Sequence, residues 1–376
     1  SKLKKLDANV DVIMTDSARE FIKPLTFQTM AQSKVHFDMF GLVNEMDVEH
    51  ISLAKKADVV LIAPATGNTI GKIANGIADN LLTTVLMATT AKMLFAPAMN
   101  TYMYCNPMVQ ENMDKLKKLG HEFISPGSGR LACGDVGTGK MADVEDIIYH
   151  LNKHFVKKDL RGKKVVITAG PTMEPIDPVR YITNHSSGKM GYSLANQCIL
   201  RGAQVVLISG PSSLQVPRGV EFVPVRTTND MLNAVEEYFD DCDVLIKSAA
   251  PSDFRPEISS DVKIKKDKDN DALTINFVKN PDIAAYFGRK KKDQIMVGFA
   301  AETNNLMEYA KKKLIEKNFD FIVANDVTKE GAGFNTDTNI VTIIDSNENS
   351  VEYPIMSKEE VADLILDKIV LNLDKS

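Results

Sequence analysis

Two sets of residues in this 376-residue chain have types and spacing suited to chemistry, and they do not overlap. The first comprises His50, the run Ala96-Pro97-Ala98-Met99-Asn100, and Ala132-Cys133-Gly134 leading into Gly137-Thr138-Gly139-Lys140-Met141. It combines an imidazole that titrates near neutrality, a carboxamide, and a thiol inside a glycine-rich segment. The second comprises Thr168-Ala169-Gly170-Pro171-Thr172, Asn184-His185-Ser186-Ser187-Gly188-Lys189-Met190-Gly191 and Lys263-Ile264-Lys265-Lys266. Hydroxyls, amides, a glycine and cations at a loop-to-helix boundary make an anion-binding arrangement, with Ser186 or Ser187 as the expected helix cap.

Both sets are tied to apolar runs. Short, β-branched runs at 10–14, 59–63, 93–96, 165–168, 205–208, 244–246, 295–298 and 321–324 alternate with helical patterns. Such runs read as buried parallel strands joined by crossover helices, so the predicted class is α/β with doubly wound parallel sheets. Ligands then belong at the carboxyl ends of the strands. The length exceeds one typical domain, and the spacing predicts a first domain over 1–155, a charged linker over 156–163 and a second domain over 164–376. Ser1-Lys2-Leu3-Lys4-Lys5-Leu6 reads as the end of a helix feeding the strand at Val10. The strand and Gly-rich phosphate turn that normally open such a domain are therefore expected to be missing.

The net charge of −5 gives no general pull toward nucleic acid, so phosphate-bearing ligands must be met by local donors. Cys105, Cys133, Cys198 and Cys242 are widely spaced and form no CxxC pair, which argues against a zinc ribbon or a disulfide framework and for a reducing cytoplasm. No apolar run reaches the roughly 20 residues that cross a bilayer, so no membrane partner is expected. The lysine-rich run 289–292 is expected to be a solvated turn, and Cys105 to be structural.

In the first half, His50 opens an amphipathic helix. The strand at 59–63 leads into Ala63-Pro64-Ala65-Thr66-Gly67-Asn68, a turn of small and hydrogen-bonding residues that a planar cofactor could approach closely. Glycines 127, 129, 134, 137 and 139 give the segment 125–141 the freedom of a flap. Glu49-His50, Pro64-Ala65-Thr66-Gly67-Asn68, Pro97-Ala98-Met99-Asn100 and Ala132-Cys133-Gly134 through Met141, in this order, resemble the homo-oligomeric flavin-containing cysteine decarboxylases, specifically phosphopantothenoylcysteine decarboxylase. The resemblance implies a flavodoxin-like fold and bound FMN, contacted by Thr15, Pro64, Ala65, Thr66, Asn68 and Ala98. It also implies oxidation of the thiol-bearing carbon to a thioaldehyde, loss of carbon dioxide to an enethiolate, and reduction of that product. In that scheme His50 is the acid/base group, Asn100 holds the substrate carboxylate, and Cys133 protonates the enethiolate from the flap.

In the second half no GxGxxG follows the strand at 165–168, which tells against nicotinamide binding. Asp177-Pro178-Val179-Arg180 through Gly191, with Ser248-Ala249-Ala250-Pro251-Ser252-Asp253-Phe254, Lys263-Ile264-Lys265-Lys266, Lys279-Asn280-Pro281-Asp282-Ile283, Val297-Gly298-Phe299-Ala300-Ala301-Glu302-Thr303 and Ala324-Asn325-Asp326-Val327, resembles phosphopantothenate-cysteine ligase over residues 163–370. The resemblance implies a Rossmann-like ligase fold. CTP would activate 4′-phosphopantothenate as an acyl-cytidylate, and the amine of cysteine would displace CMP. Lys263 would stabilise charge at the attacked phosphorus. Asn184 would bind the acyl-cytidylate, and Asp253, Pro281, Asp282, Ile283, Ala284 and Phe299 would contact the nucleotide. Lys313 and Lys317, at i and i+4 on one helix face, would hold the triphosphate, with magnesium bridging the phosphates and its ligands unknown. His185 has no acid/base role in this scheme and is expected to be structural.

Fused in this order, the halves resemble the bifunctional coenzyme A biosynthesis family of bacteria. The resemblance implies a homo-oligomer with trimeric contacts around the flavin and dimeric contacts through the ligase half. Two other readings stay open at this point: a non-catalytic flavin-binding regulatory subunit, and a nicotinamide-dependent dehydrogenase built on the second sheet.

Overall fold

The computed structural model describes residues 1–39, 48–130, 134, 136–265, 273–302, 306–326, 333 and 336–374. The chain divides into two compact units, Ser1–Val156 and Lys157–Ser376.

In the first unit, β1 (Val12–Ile13) pairs in parallel with β2 (Val35–His36). A second parallel sheet holds β3 (Val59–Ala65), β4 (Lys92–Pro97) and β5 (Glu122–Phe123) in that order. β6 (Gly127–Arg130) and β7 (Val136–Lys140) form an antiparallel hairpin. The continuous run Met93-Leu94-Phe95-Ala96 is explained by burial on both faces, since alternate side chains of a strand point opposite ways. Met93 and Phe95 pack with Ile70, Ile73, Met113 and Leu116 from the helices Gly67–Ala74 and Pro107–Lys118. Leu94 and Ala96 pack with Ile147 and Leu151 of the helix Val144–Phe155.

The second unit contains β8 (Lys164–Ala169), the hairpin β9 (Met173–Pro175) and β10 (Tyr181–Thr183), β11 (Gln204–Ser209), β12 (Glu221–Pro224), β13 (Val244–Lys247), and the hairpin β14 (Phe254–Pro256) and β15 (Phe277–Lys279). It continues with β16 (Ile295–Glu302), β17 (Phe321–Asp326), β18 (Thr338–Asn339), β19 (Val341–Asp345), β20 (Ser350–Glu352) and β21 (Met356–Ser357), β18 pairing with β21. The main sheet has the order β12-β11-β8-β13-β16-β17-β19-β20. The chain steps outward from β8 to β12, then returns to the other side of β8 at β13. That reversal opens a crevice at the carboxyl ends of β8 and β13, where doubly wound sheets bind ligands.

Val165, Ile167, Leu207 and Ile246 face the helices Lys189–Leu200 and Lys358–Leu373. Val166, Ile208, Leu245 and Met296 face the helices Thr228–Phe239, Ile283–Lys290 and Leu306–Glu316. Each fully buried aliphatic side chain contributes about 1.5–3 kcal/mol, so these two layers fix the sheet on which the site is built. No hydrophobic cluster among the described residues draws from both sides of the 156/157 boundary.

Three sequence expectations need adjustment. The segment 156–163 is not a free connector beyond Val156: Leu160 is fully buried in the second unit's core, and Asp159 receives Arg201 at 2.7 and 2.8 Å. Leu160 was masked by its charged neighbours. The antiparallel strands β19 and β20 close one edge of the sheet, joined by a turn in which Asp345 accepts from the Asn347 and Asn349 amides. In the run 289–292, Lys291 is mostly buried and paired with Asp320 at 2.7 Å, because the aspartate of the neighbouring strand entry reaches it.

Candidate active sites

In the first unit the candidate residues gather where β3 and β4 end. Ala98 donates its amide to the Ala65 carbonyl at 3.1 Å, joining the two strand ends. Ala65 is buried, whereas Ala63, Pro64, Thr66 and Asn68 are exposed. Small side chains thus leave the backbone of this edge open, an arrangement that fits a flat ring lying against it. Thr66 caps the helix Gly67–Ala74 by accepting from the Thr69 amide at 3.3 Å.

Asn100 caps the turn Thr101–Tyr104, its Oδ1 accepting from the Tyr102 amide at 2.8 Å. That bond fixes the plane of the amide. The β6–β7 hairpin is docked on the same loop: Met99 donates to the Gly139 carbonyl at 3.0 Å. A Cβ on Gly139 would lie 2.2 Å from the Met99 carbonyl oxygen, and one on Gly137 would lie 2.4 Å from Thr101 Oγ1. The glycines therefore permit close approach as well as freedom. Cys133, between the two strands of this hairpin, lies outside the described residues.

His50 sits half-buried in the first turn of the helix Glu49–Lys56. Its neighbour Glu49 accepts from Lys34 Nζ and bonds His36 Nδ1, each at 2.7 Å, which ties the helix start to β2. Burial would raise the Glu49 carboxyl, but those two partners hold it below its ordinary value. Thr15 caps the helix Asp16–Phe21 through the Ala18 amide at 3.2 Å, at the end of β1. Among the described residues no backbone ladder joins β1 to β3.

In the second unit three loops cross at the carboxyl ends of β8, β11 and β13. A Cβ on Gly210 would lie 1.6 Å from the Pro171 carbonyl oxygen, and one on Gly191 would lie 2.6 Å from both Ala169 Cβ and Ser248 Oγ. Gly188, at φ +81°, packs on Gly170 and is itself the cap of the helix Lys189–Leu200. Neither Ser186 nor Ser187 caps it; the cap position has a left-handed backbone, which favours glycine. The Ser187 hydroxyl instead accepts from the Lys189 amide at 3.4 Å.

Asn184 Nδ2 donates to the carbonyls of Ala250 and Pro251 at 3.3 and 3.1 Å, binding the loop after β10 to the loop after β13. The Asp253 carbonyl accepts from the Asn280 amide at 2.8 Å. One turn on, Asp282 caps the helix Ile283–Lys290 through Ala285 at 3.0 Å and pairs with Lys317 at 3.1 Å. Burial raises the Asp282 carboxyl, yet the Ala285 amide and Lys317 bring it below its usual value. Ile283 and Ala284 are buried, and Pro281 half-buried. Phe299 is half-buried against the opposite face of the sheet. Lys313 and Lys317 are linked by a backbone bond of 3.1 Å, but Lys317 stands one residue past the helix Leu306–Glu316.

Lys263 is exposed, and its loop is gripped through the next residue. The Ile264 amide donates to Asp177 Oδ2 at 3.1 Å, and its carbonyl accepts from Arg180 at 2.7 Å. Asp177 also accepts from the Val179 and Arg180 amides at 2.8 Å each. Although burial opposes it, this set of donors pulls the Asp177 carboxyl down to about 2. Beneath the crevice, buried Glu174 accepts from the Thr228 amide and hydroxyl at 2.9 and 2.7 Å, and Thr228 meets Thr172 at 3.0 Å. Sequence reasoning missed this shelf, the positioning role of Asp177, and Lys247, a buried cation at the end of β13. The only signal for Lys247 was a lysine closing an otherwise apolar strand.

The two sheets, the open edge of small residues and the anion-suited crevice define a tandem α/β protein with a flavin-type first unit. Residues 1–155 match the Flavoprotein family model, and residues 160–372 match the DNA/pantothenate metabolism flavoprotein C-terminal domain. A coenzyme A biosynthesis bifunctional protein from Bacillus subtilis (strain 168) is 50% identical over 373 residues, covering 98% of this chain and 91% of its own length. Its Escherichia coli (strain K12) counterpart is 42% identical over 377 residues, covering 100% of this chain and 93% of its own. A crystal structure of the C-terminal domain of such a protein, 42% identical, superposes with a TM-score of 0.51 over 58% of this chain and all of that one. The chain belongs to the bifunctional coenzyme A biosynthesis protein family.

Proposed function

We propose that the second unit ligates cysteine to 4′-phosphopantothenate at the expense of CTP, and that the first unit decarboxylates the product to 4′-phosphopantetheine. The observation that carries the reading is the convergence of Asn184, the loop 250–253 and the Asp282–Lys317 pair at the point where the sheet order reverses. A nucleotide bound there meets a helix start, a cation and backbone polar groups together. Magnesium, when bound with the nucleotide, would offset the charge of its phosphates. Lys263, held through Ile264, brings a point charge to the phosphorus under attack, and Asn184 binds the activated acyl group.

In the first unit Pro64, Ala65, Thr66, Asn68, Ala98 and Thr15 hold FMN, which when bound supplies the electron sink that a β-thiol carboxylate lacks. Asn100 orients the substrate carboxylate through its amide donors. His50 acts as the acid/base group at the oxidation, where the carbon gives up a hydride and the thiol its proton, and Cys133 protonates the enethiolate from the flap segment 125–141. The protein acts in the cytoplasm as a homo-oligomer, trimeric through the first unit and dimeric through the second. Among the described residues no helix is long and apolar enough to cross a membrane.

Incubating the chain with CTP, magnesium, cysteine and 4′-phosphopantothenate should release CMP and pyrophosphate. Absence of CMP would sink the ligase reading. A visible band at roughly 450 nm in the purified chain reports bound flavin, and a colourless protein that gains no band with added FMN would sink the other half.

A further inference from the structure

We propose that Lys247 is a phosphate-binding residue, completing with Lys317 a recessed cationic seat for the polyphosphate chain of the nucleotide. The inference rests on the nucleotide reading above and extends it to a residue outside that set. Lys247 is the last residue of β13, in register with Thr168 of β8 and Gly298 of β16, so it stands at the carboxyl edge beside the reversal of strand order. The three residues before it are fully buried, and it is itself only 8% exposed.

A buried ammonium without partners is expensive, and proteins normally satisfy it. This chain shows how: Lys358, 6% exposed, donates to the carbonyls of Gly333 and Thr336. Lys247 has no such bond among the described residues. The charged groups acting on it are Asp282, at the start of the helix Ile283–Lys290, and Lys317, just past the helix Leu306–Glu316. Asp282 is already engaged by the Ala285 amide at 3.0 Å and by Lys317 at 3.1 Å. One carboxylate therefore serves two ammonium groups, and the adjoining helix start adds further positive potential. The surplus positive charge lies at the carboxyl end of β13, beside the reversal of strand order, where an arriving anion would offset it. Burial, opposed by Asp282 and reinforced by Lys317, lowers the Lys247 ammonium to about 8, a cost that a bound phosphate removes.

The probe is inorganic tripolyphosphate, titrated calorimetrically into the full chain in metal-free buffer. Wild type should bind it, and Lys247→Met and Lys247→Gln should each weaken binding by about 10–100-fold with melting temperatures not lowered. Affinity within twofold of wild type in either folded variant, or no binding by wild type, overturns the proposal. Should both variants fail to fold, the wild-type pH profile decides. Affinity should fall about tenfold as pH rises from 8 to 9.5 and this lysine loses its proton, although the probe gains negative charge. A flat or rising profile overturns it. Since the probe carries no cytidine, these results stand apart from CMP release: wild type that binds tripolyphosphate through Lys247 but forms no CMP retains the anion seat and loses the ligase reading.

Discussion

Asp177 and Ile264 are locked together across 87 positions of sequence: the Ile264 amide donates to the buried Asp177 carboxylate at 3.1 Å. Arg180, bound to the same carboxylate at 3.0 Å, returns a bond of 2.7 Å to the Ile264 carbonyl. Both polar groups of one peptide residue are thereby fixed, and the neighbouring Lys263 is placed without being touched.

Asp177→Asn keeps the volume of the side chain and removes its charge. A charge-assisted bond contributes about 1.5–3 kcal/mol, so the rate of CMP formation should fall about tenfold or more while CTP affinity changes little. The same variant alters acid stability. A carboxyl at about 2 in the folded chain and 3.8 ordinarily stabilises the fold above pH 4 and loses that effect as pH falls toward 2. Chemical denaturation of the two proteins should converge in that window.

Lys247 behaves in the opposite sense. Its folded value of about 8 against 10.5 means that between those pH values the unfolded chain keeps a proton the folded chain has released. Stability of the second unit should therefore rise with pH across this window, by up to about 3 kcal/mol. Lys247→Met should show no such rise and should melt above wild type at pH 7. A melting point lowered at neutral pH would contradict the unpartnered charge.

Gly139→Ala tests the docking of the hairpin. Its φ of +152° and the 2.2 Å approach of the Met99 carbonyl leave no room for a methyl group, so the hairpin must shift off the Asn100 loop. Decarboxylation should drop by at least about tenfold with CMP formation unchanged, since small displacements of reacting groups cost that much. Equal loss in both assays would point to global misfolding instead.

Leu160→Ala should destabilise the second unit by about 2–5 kcal/mol, the range for a fully buried leucine. A change below about 0.5 kcal/mol would show that residues 157–163 are a connector after all.

The strands and their parallel pairing were legible because burial on both faces leaves continuous apolar runs such as Val165-Val166-Ile167 and Met93-Leu94-Phe95. The crevice was legible from its short hydroxyl- and glycine-rich segments. What sequence concealed depends on distant partners. Nothing near Asp177 announces Ile264, and nothing beside Lys247 tells that Asp282 is shared with Lys317. The cap at Gly188 was hidden behind two serines, because its left-handed backbone is not announced by the residue types around it. Leu160 was hidden by charged neighbours, although one apolar side chain in the right register suffices to dock a segment.

Separate hydrophobic clusters on either side of 156/157 also bear on how the chain is made. Domains fold as units, from the amino end, while translation proceeds at about 5–20 residues per second. Emergence of the second unit thus takes roughly 10–40 s, during which the first can already close its core and compete for cofactor on the ribosome. A lesion that halts synthesis beyond Val156 therefore spares the hydrophobic clusters of the first unit, and the two activities have separate vulnerabilities.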